Sequence, residues 1–132
     1  EIAKQIKFIL AEVFIMAEII RHLIHDDNAN SGVIVAGDYV FIGHCCRNQG
    51  QVLEKQIIGA LDQLSEGLSL VGLTLESVVQ IDALFRDVYQ IPVMEEVFKE
   101  RFNGKYPVRK SIQTEFADQS IDFQLDAIAY KG

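Results

Sequence analysis

Hydrophobic positions in the opening stretch KQIKFILAEVFIMAEIIRHLIH recur at helical spacing. Ile6, Ile9, Leu10, Val13, Ala17, Ile20 and Ile24 fall on one stripe, and Phe8, Ile15 and Ile19 widen it until only a narrow polar face remains. The pattern predicts an N-terminal helix that needs a partner over most of its circumference, closed by the turn-forming run DDNANSG. VIVAGDYVFIGHCC then divides into two short β segments around Gly37-Asp38, which predicts a hairpin, and Arg47 to Gly50 form a polar loop. From Gln51 to Leu70 the apolar residues Leu53, Ile57, Ala60, Leu61, Leu64 and Leu68 return with a 3.6-residue period. That period predicts an amphipathic helix ending near Gly72.

LTLESVVQIDALFRD supplies a strand in which Val79, Ile81, Ala83 and Phe85 face one way and Val78, Gln80, Asp82, Leu84 and Arg86 the other. Pro92 suits the first turn of a further helix, IPVMEEVFKERF. Glu95 and Glu96 sit early in it and Lys99 and Arg101 late, in agreement with the helix dipole. Asn103-Gly104 ends it, and two strands follow, VRKSIQTEF and IDFQLDAIAY, joined by the polar turn ADQS as a second hairpin. The expected plan is α+β: a mixed sheet with two helices packed on one face, plus the extra N-terminal helix. Residues 1–30 are expected to be a helical extension and turn, and residues 31–132 the main domain.

With 132 residues, 49% apolar and 23% charged, the chain can bury one core. Nineteen acidic residues against twelve lysines and arginines set the net charge at −7, which opposes attraction to phosphate backbones and anionic membranes. Nucleic acid is therefore not an expected partner. Lys105, Arg109 and Lys110 make a basic cluster of pocket size only. Glu12, Glu18 and Arg21 interrupt the N-terminal apolar run, whereas a spanning helix needs ~20 mostly apolar residues. No membrane partner is expected. Cys45 and Cys46 are adjacent and point to opposite faces of a strand, so no disulfide framework is implied, and a reducing, cytoplasmic setting is expected.

Two places carry candidate chemistry. In YPVRKSIQTEF, Arg109 stands two residues after Pro107 at the entrance to a strand. A guanidinium there either pairs with one of the many acids, for instance Glu115 or Asp126, or holds a ligand carboxylate. His44, Cys45 and Cys46 invite a metal reading, but zinc sets draw four groups from separated positions, so no metal is expected and the cysteines are read as buried strand thiols.

QIIGALDQLSEGLSLVGLTLESVV resembles the long helix and following strand of the RidA/YjgF family through Gln56, Leu61, Asp62, Gln63 and Gly72. YPVRKSIQTEF resembles that family's Pro-X-Arg signature, and FQLDAIAY its closing strand. The resemblance runs from Val33 to Tyr130, about three quarters of the chain. It implies a chorismate-mutase-like fold and a homotrimer with small-molecule clefts between subunits. It implies no cofactor, and hydrolysis of reactive enamine or imine intermediates to 2-ketoacids and ammonia. Arg109 falls on the arginine that pairs with the substrate carboxylate, a task for a planar fork that is never deprotonated.

Elsewhere the residues depart from the family pattern. Gln124 stands where the resemblance places a water-positioning glutamate, Asn30 near a tyrosine of the N-terminal segment, and Gly43, His44 and Cys45 in place of Ser-Gly-Gln. Ser111 is an acceptable match for a small polar position. The expected site is then Arg109, Ser111 and Gln124 for catalysis, with Arg109, His44, Cys45 and Asn30 lining the substrate. His44 and Cys45 are also candidates for an alternative proton donor or a reactive thiol. A glutamine can hold water but takes no proton from it near neutral pH. A small-carboxylate-binding trimer without catalysis is therefore the alternative, and an endoribonuclease or translation-inhibitor role the weakest reading at this charge.

Overall fold

Six strands form one sheet in the order β1-β2-β3-β6-β4-β5 in a computed structural model that describes residues 1–7, 9 and 18–132. The strands are β1 (Ile19–His25), β2 (Asn30–Ala36), β3 (Tyr39–Cys45), β4 (Val78–Phe85), β5 (Val108–Gln113) and β6 (Phe123–Tyr130), and the helices are α1 (Leu53–Ser69) and α2 (Ile91–Phe102). Both helices pack on one face of the sheet. Ile57, Leu61, Leu64 and Leu68 of α1 are fully buried there, and Val33, Ile81, Phe85, Phe123 and Leu125 meet them from the strands. Burying each such side chain contributes about 1.5–3 kcal/mol, so this stripe is the main source of α1's stability.

The helix ends follow their local chemistry. Gly72 (φ 76°) closes α1 with a Schellman turn, the Leu73 N–H donating to the Leu68 carbonyl at 3.0 Å and the Gly72 N–H to the Ser69 carbonyl at 3.1 Å. Pro92 opens α2, which buries Met94, Val97, Phe98 and Phe102.

The expected first hairpin forms, with β2 and β3 antiparallel across Gly37-Asp38. The second does not. β5 pairs parallel with β4, and β6 lies between β3 and β4, antiparallel to both. β4, α2 and β5 make a crossover unit, which forces β5 parallel and onto the outer edge. The inner side of β4 is then left for β6, whose alternating Phe123, Leu125, Ala127 and Ala129 turn to the helices. Alternation in VRKSIQTEF and IDFQLDAIAY reports which residues share a face and not which strands are neighbours.

The helical reading of the N-terminal stretch is corrected over Ile19–His25, which is an edge strand paired antiparallel to β2. β-branched Ile19, Ile20 and Ile24 suit either period, and the free edge of β2 decides, because its backbone groups need partners. Residues 2–7 are helical. Phe8, Leu10, Val13, Ile15 and Ala17, expected on the same helix, lie outside the described residues. Among the described residues no helix is long and apolar enough to cross a membrane.

A second correction concerns β4. Its pairing with β6 shifts between Val78 and Gln80, so Val79 is an extra residue and Val78, not Val79, joins Ile81, Ala83 and Phe85 in the core. Val79 is exposed instead.

Candidate functional site

At its C-terminal end β3 carries one residue more than β6 opposite, between Ile42 and Cys45. The bulge puts His44 in the left-handed region, φ 56°, which a side chain with Cβ seldom adopts. Polar contacts on both sides hold it there. The His44 N–H donates to Asp126 Oδ1 at 2.9 Å, and the His44 carbonyl accepts from Gln63 Nε2 at 3.1 Å. Gln63 Oε1 in turn accepts from the Cys46 N–H at 3.0 Å, so one amide of α1 serves two backbone groups left unpaired where the strand ends. Gln124, on β6, brings its Nε2 within 3.4 Å of His44 Nδ1.

His44, Cys45 and Asn30 line one cavity of about 760 Å³, with His25, Gln63 and Asp118. Cys45 is fully buried, and burial first, then the nearby Asp126 carboxylate, pushes its thiol up to about 12. Burial, then Asp118, raises Cys46 as well. A nucleophile must be a thiolate, so Cys45 serves as cavity wall and not as a reactive thiol. At pH 8 native-state alkylation is expected to leave Cys45 unmodified over hours while the denatured protein reacts at both cysteines; mass spectrometry after iodoacetamide treatment checks this. Folding holds the Cys45 proton above its ordinary pKa, so this contribution to stability is complete below about pH 9 and falls away as pH rises toward 12.

Arg109 is placed apart from this group. It pairs in register with Ile81, and Ser111 with Ala83, so both point to the helix side of β5. Gln124 pairs with Leu84 and points to the open side. Arg109 lines a second cavity of about 400 Å³ with Glu95, Phe98, Lys99, Tyr106 and Pro107. Its ion partner is Glu95 of α2 at 3.5 Å, rather than Glu115 or Asp126. The contact is looser than Arg101–Asp62 at 2.8 Å or Arg86–Asp122 at 3.1 Å, and the Arg109 side chain is 31% exposed. Two residues along, the Ser111 hydroxyl oxygen is buried with no hydrogen-bond partner among the described residues.

In a single chain the expected site residues fall into two separate groups, Asn30, His44, Cys45 and Gln124 in one, Arg109 and Ser111 in the other. Glu95 was not expected at either, and Asp126, offered as a partner of Arg109, instead holds the His44 backbone together with Gln63. No spacing in the sequence marks them, because each acts through a contact with a distant element. Among the described residues no three His, Cys, Asp or Glu side chains converge as a metal set.

No protein-family model matches the chain. It is 52% identical to a solved hypothetical protein from Streptococcus pyogenes M1 GAS, described as a member of the highly conserved yjgF family. That match covers 87% of this chain and 98% of the other, with a TM-score of 0.84. A RutC family protein of Pyrococcus horikoshii is 24% identical over 108 residues, 76% of this chain and 86% of its own. The 2-iminobutanoate/2-iminopropanoate deaminase of Rattus norvegicus is 23% identical over 130 residues, 89% of this chain and 95% of its own.

Proposed function

Because this chain belongs to the YjgF (RidA) family, we propose that it binds small imino and keto acids by their carboxylate on Arg109 and hydrolyses the reactive enamine or imine form to 2-ketoacid and ammonia. The observation that carries this reading is the state of the Arg109 guanidinium. It lines an open cavity and is held, among the described residues, by one loose contact to Glu95, which leaves its fork for a carboxylate. The likeness to the rat deaminase supports the reaction class. Ser111, two residues along β5 with its hydroxyl unpartnered among the described residues, is the donor assigned to the substrate in this reading.

The two half-sites meet in a homotrimer, where the β5 edge of one copy faces the His44 cavity of the next. Exposed apolar residues on the sheet and its edges support such contacts: Ile20 and Ile24 on β1, Tyr39 and Phe41 on β3, Val108 and Ile112 on β5. Two free cysteines fit a cytoplasmic location.

Ammonia release from 2-aminoacrylate and 2-aminocrotonate, generated in place by an amino-acid dehydratase, tests the reading. Acceleration over the buffer rate is expected, with Gln124→Glu at least as active as the parent chain. One specific feature favours a second reading, a carboxylate-binding trimer without turnover: Gln124 supplies no carboxylate to activate water. Saturable heat with 2-oxobutanoate, no turnover by the parent chain and turnover by Gln124→Glu would establish that instead.

A further inference from the structure

The deaminase reading leaves one chemical task unassigned. Some group must take a proton from the attacking water, and an amide does not do so near neutral pH. We propose that His44 is this proton-transfer group and that Gln124 is a positioning residue acting on its ring; the inference rests on the deaminase reading.

Three independent observations place the task on His44. The backbone is held in a left-handed bulge from both sides, by Asp126 on β6 and Gln63 on α1, and a bulge at a strand end is a recurrent way of re-aiming a side chain beside a site. The ring nitrogen Nδ1 lies 3.4 Å from the Gln124 amide, and an amide can turn either end to it. In the amide rotamer whose oxygen accepts from Nδ1–H, the other ring nitrogen carries the free lone pair and can act as a base. Lastly, His44 is exposed and lines two cavities, of about 380 and about 760 Å³.

The other titratable groups facing these cavities are less suited. Asp126 of β6 is engaged by the His44 N–H, and Asp118 of the loop before β6 by the N–H and hydroxyl of Ser120. Asp82 of β4 lines the smaller cavity, but its Oδ1, unpartnered among the described residues, is buried out of reach of a water in the cavity. Cys45 is held protonated. His25 of β1 lines the larger cavity, but no side-chain hydrogen bond orients its ring among the described residues.

In the proposed step neutral His44 takes a proton from water as the oxygen bonds to the iminium carbon and the C=N π pair moves to nitrogen. The imidazolium returns that proton to the nitrogen. The C–N bond then breaks as an oxygen lone pair forms the carbonyl, and the hydroxyl proton passes by way of His44 to the departing ammonia. One water is consumed, ketoacid and ammonium form, and nothing is oxidised.

The test compares kcat between pH 5 and 9 for the parent chain, His44→Asn, His44→Gly and Gln124→Leu. Asparagine and glycine both accept the left-handed backbone, so neither change should disturb folding, which thermal melting verifies. Loss of kcat by about 10²–10⁴-fold is expected in both His44 variants, larger than any change in KM or in the Kd for 2-oxobutanoate. The acid limb of the profile should flatten, and added imidazole should restore turnover to His44→Gly. Gln124→Leu should keep an acid limb displaced along the pH axis. Parent-like kcat and an unchanged acid limb in His44→Asn overturn the inference while leaving the deaminase reading intact. Absence of turnover by the parent chain removes both.

Discussion

Arg109→Ala is expected to abolish most of the acceleration of 2-aminocrotonate hydrolysis, lowering kcat/KM by about 10²–10³-fold. The fork of a guanidinium makes two parallel charge-assisted hydrogen bonds to a carboxylate, and removing one partner of such a desolvated pair costs about 3–4 kcal/mol. The same change should hardly affect folding. Among the described residues Arg109 gives up only a surface contact to Glu95 at 3.5 Å, and exposed pairs of this kind contribute about 0–1 kcal/mol. Arg109→Lys discriminates further, since it keeps the charge and loses the planar fork; an intermediate loss of about tenfold or more is expected. Coupled assays with each variant at matched melting temperature check these values. Turnover unchanged in Arg109→Ala would remove the carboxylate clamp and the proposed function with it.

Gln56→Leu, though near-isosteric, is expected to destabilise the fold strongly. Gln56 is fully buried in the first turns of α1 and ties that helix to the segment before β6. Its Nε2 donates to the Gln51 carbonyl at 2.8 Å, with longer contacts to the Ser120 carbonyl and Asp122 Oδ2 at 3.3 Å, and its Oε1 accepts from the Asp122 N–H at 2.8 Å. Leucine fills the space and orphans two groups, the Gln51 carbonyl and the Asp122 N–H. The Ser120 carbonyl retains the Gly50 N–H at 2.9 Å. Each orphan costs about 1–3 kcal/mol, so a loss of about 3 kcal/mol, or about 10 °C in Tm, is expected. Thermal unfolding followed by circular dichroism measures it, and a fall of less than about 3 °C would show that water replaces the amide. The segment that Gln56 anchors also carries Asp118 and Ile121 into the wall of the His44 cavity. Weaker binding of 2-oxobutanoate should therefore accompany the lost stability, although Gln56 lines neither half-site.

The chain's own pattern was sufficient for the elements whose signals are local. A 3.6-residue period with Gly72 at its end specified α1, and Pro92 with its charge order specified α2. Gly37-Asp38 between apolar runs specified the first hairpin. The Pro107–Arg109 spacing and the residues around Gln56 were enough to indicate the family, because they are contiguous.

What required the folded chain was every feature settled by a partner far along the sequence. Ile19–His25 is apolar at both helical and strand periods, and only the unpaired edge of β2 makes it a strand. β6 inserts between β3 and β4 because the crossover through α2 carries β5 to the outer edge, which no alternation in VRKSIQTEF could reveal. The bulges at Val78–Gln80 and Ile42–Cys45 are differences in length between paired strands, so they exist only once the strands meet. The second of these decides the candidate site. It turns His44 toward Gln124, while the parallel register of β5 on β4 puts Arg109 on the helix side, so the residues that read as one site in the sequence form two separate groups in the fold. Local periodicity encodes which residues are buried; strand pairing, a property of distant segments, decides which polar residues those faces bring together.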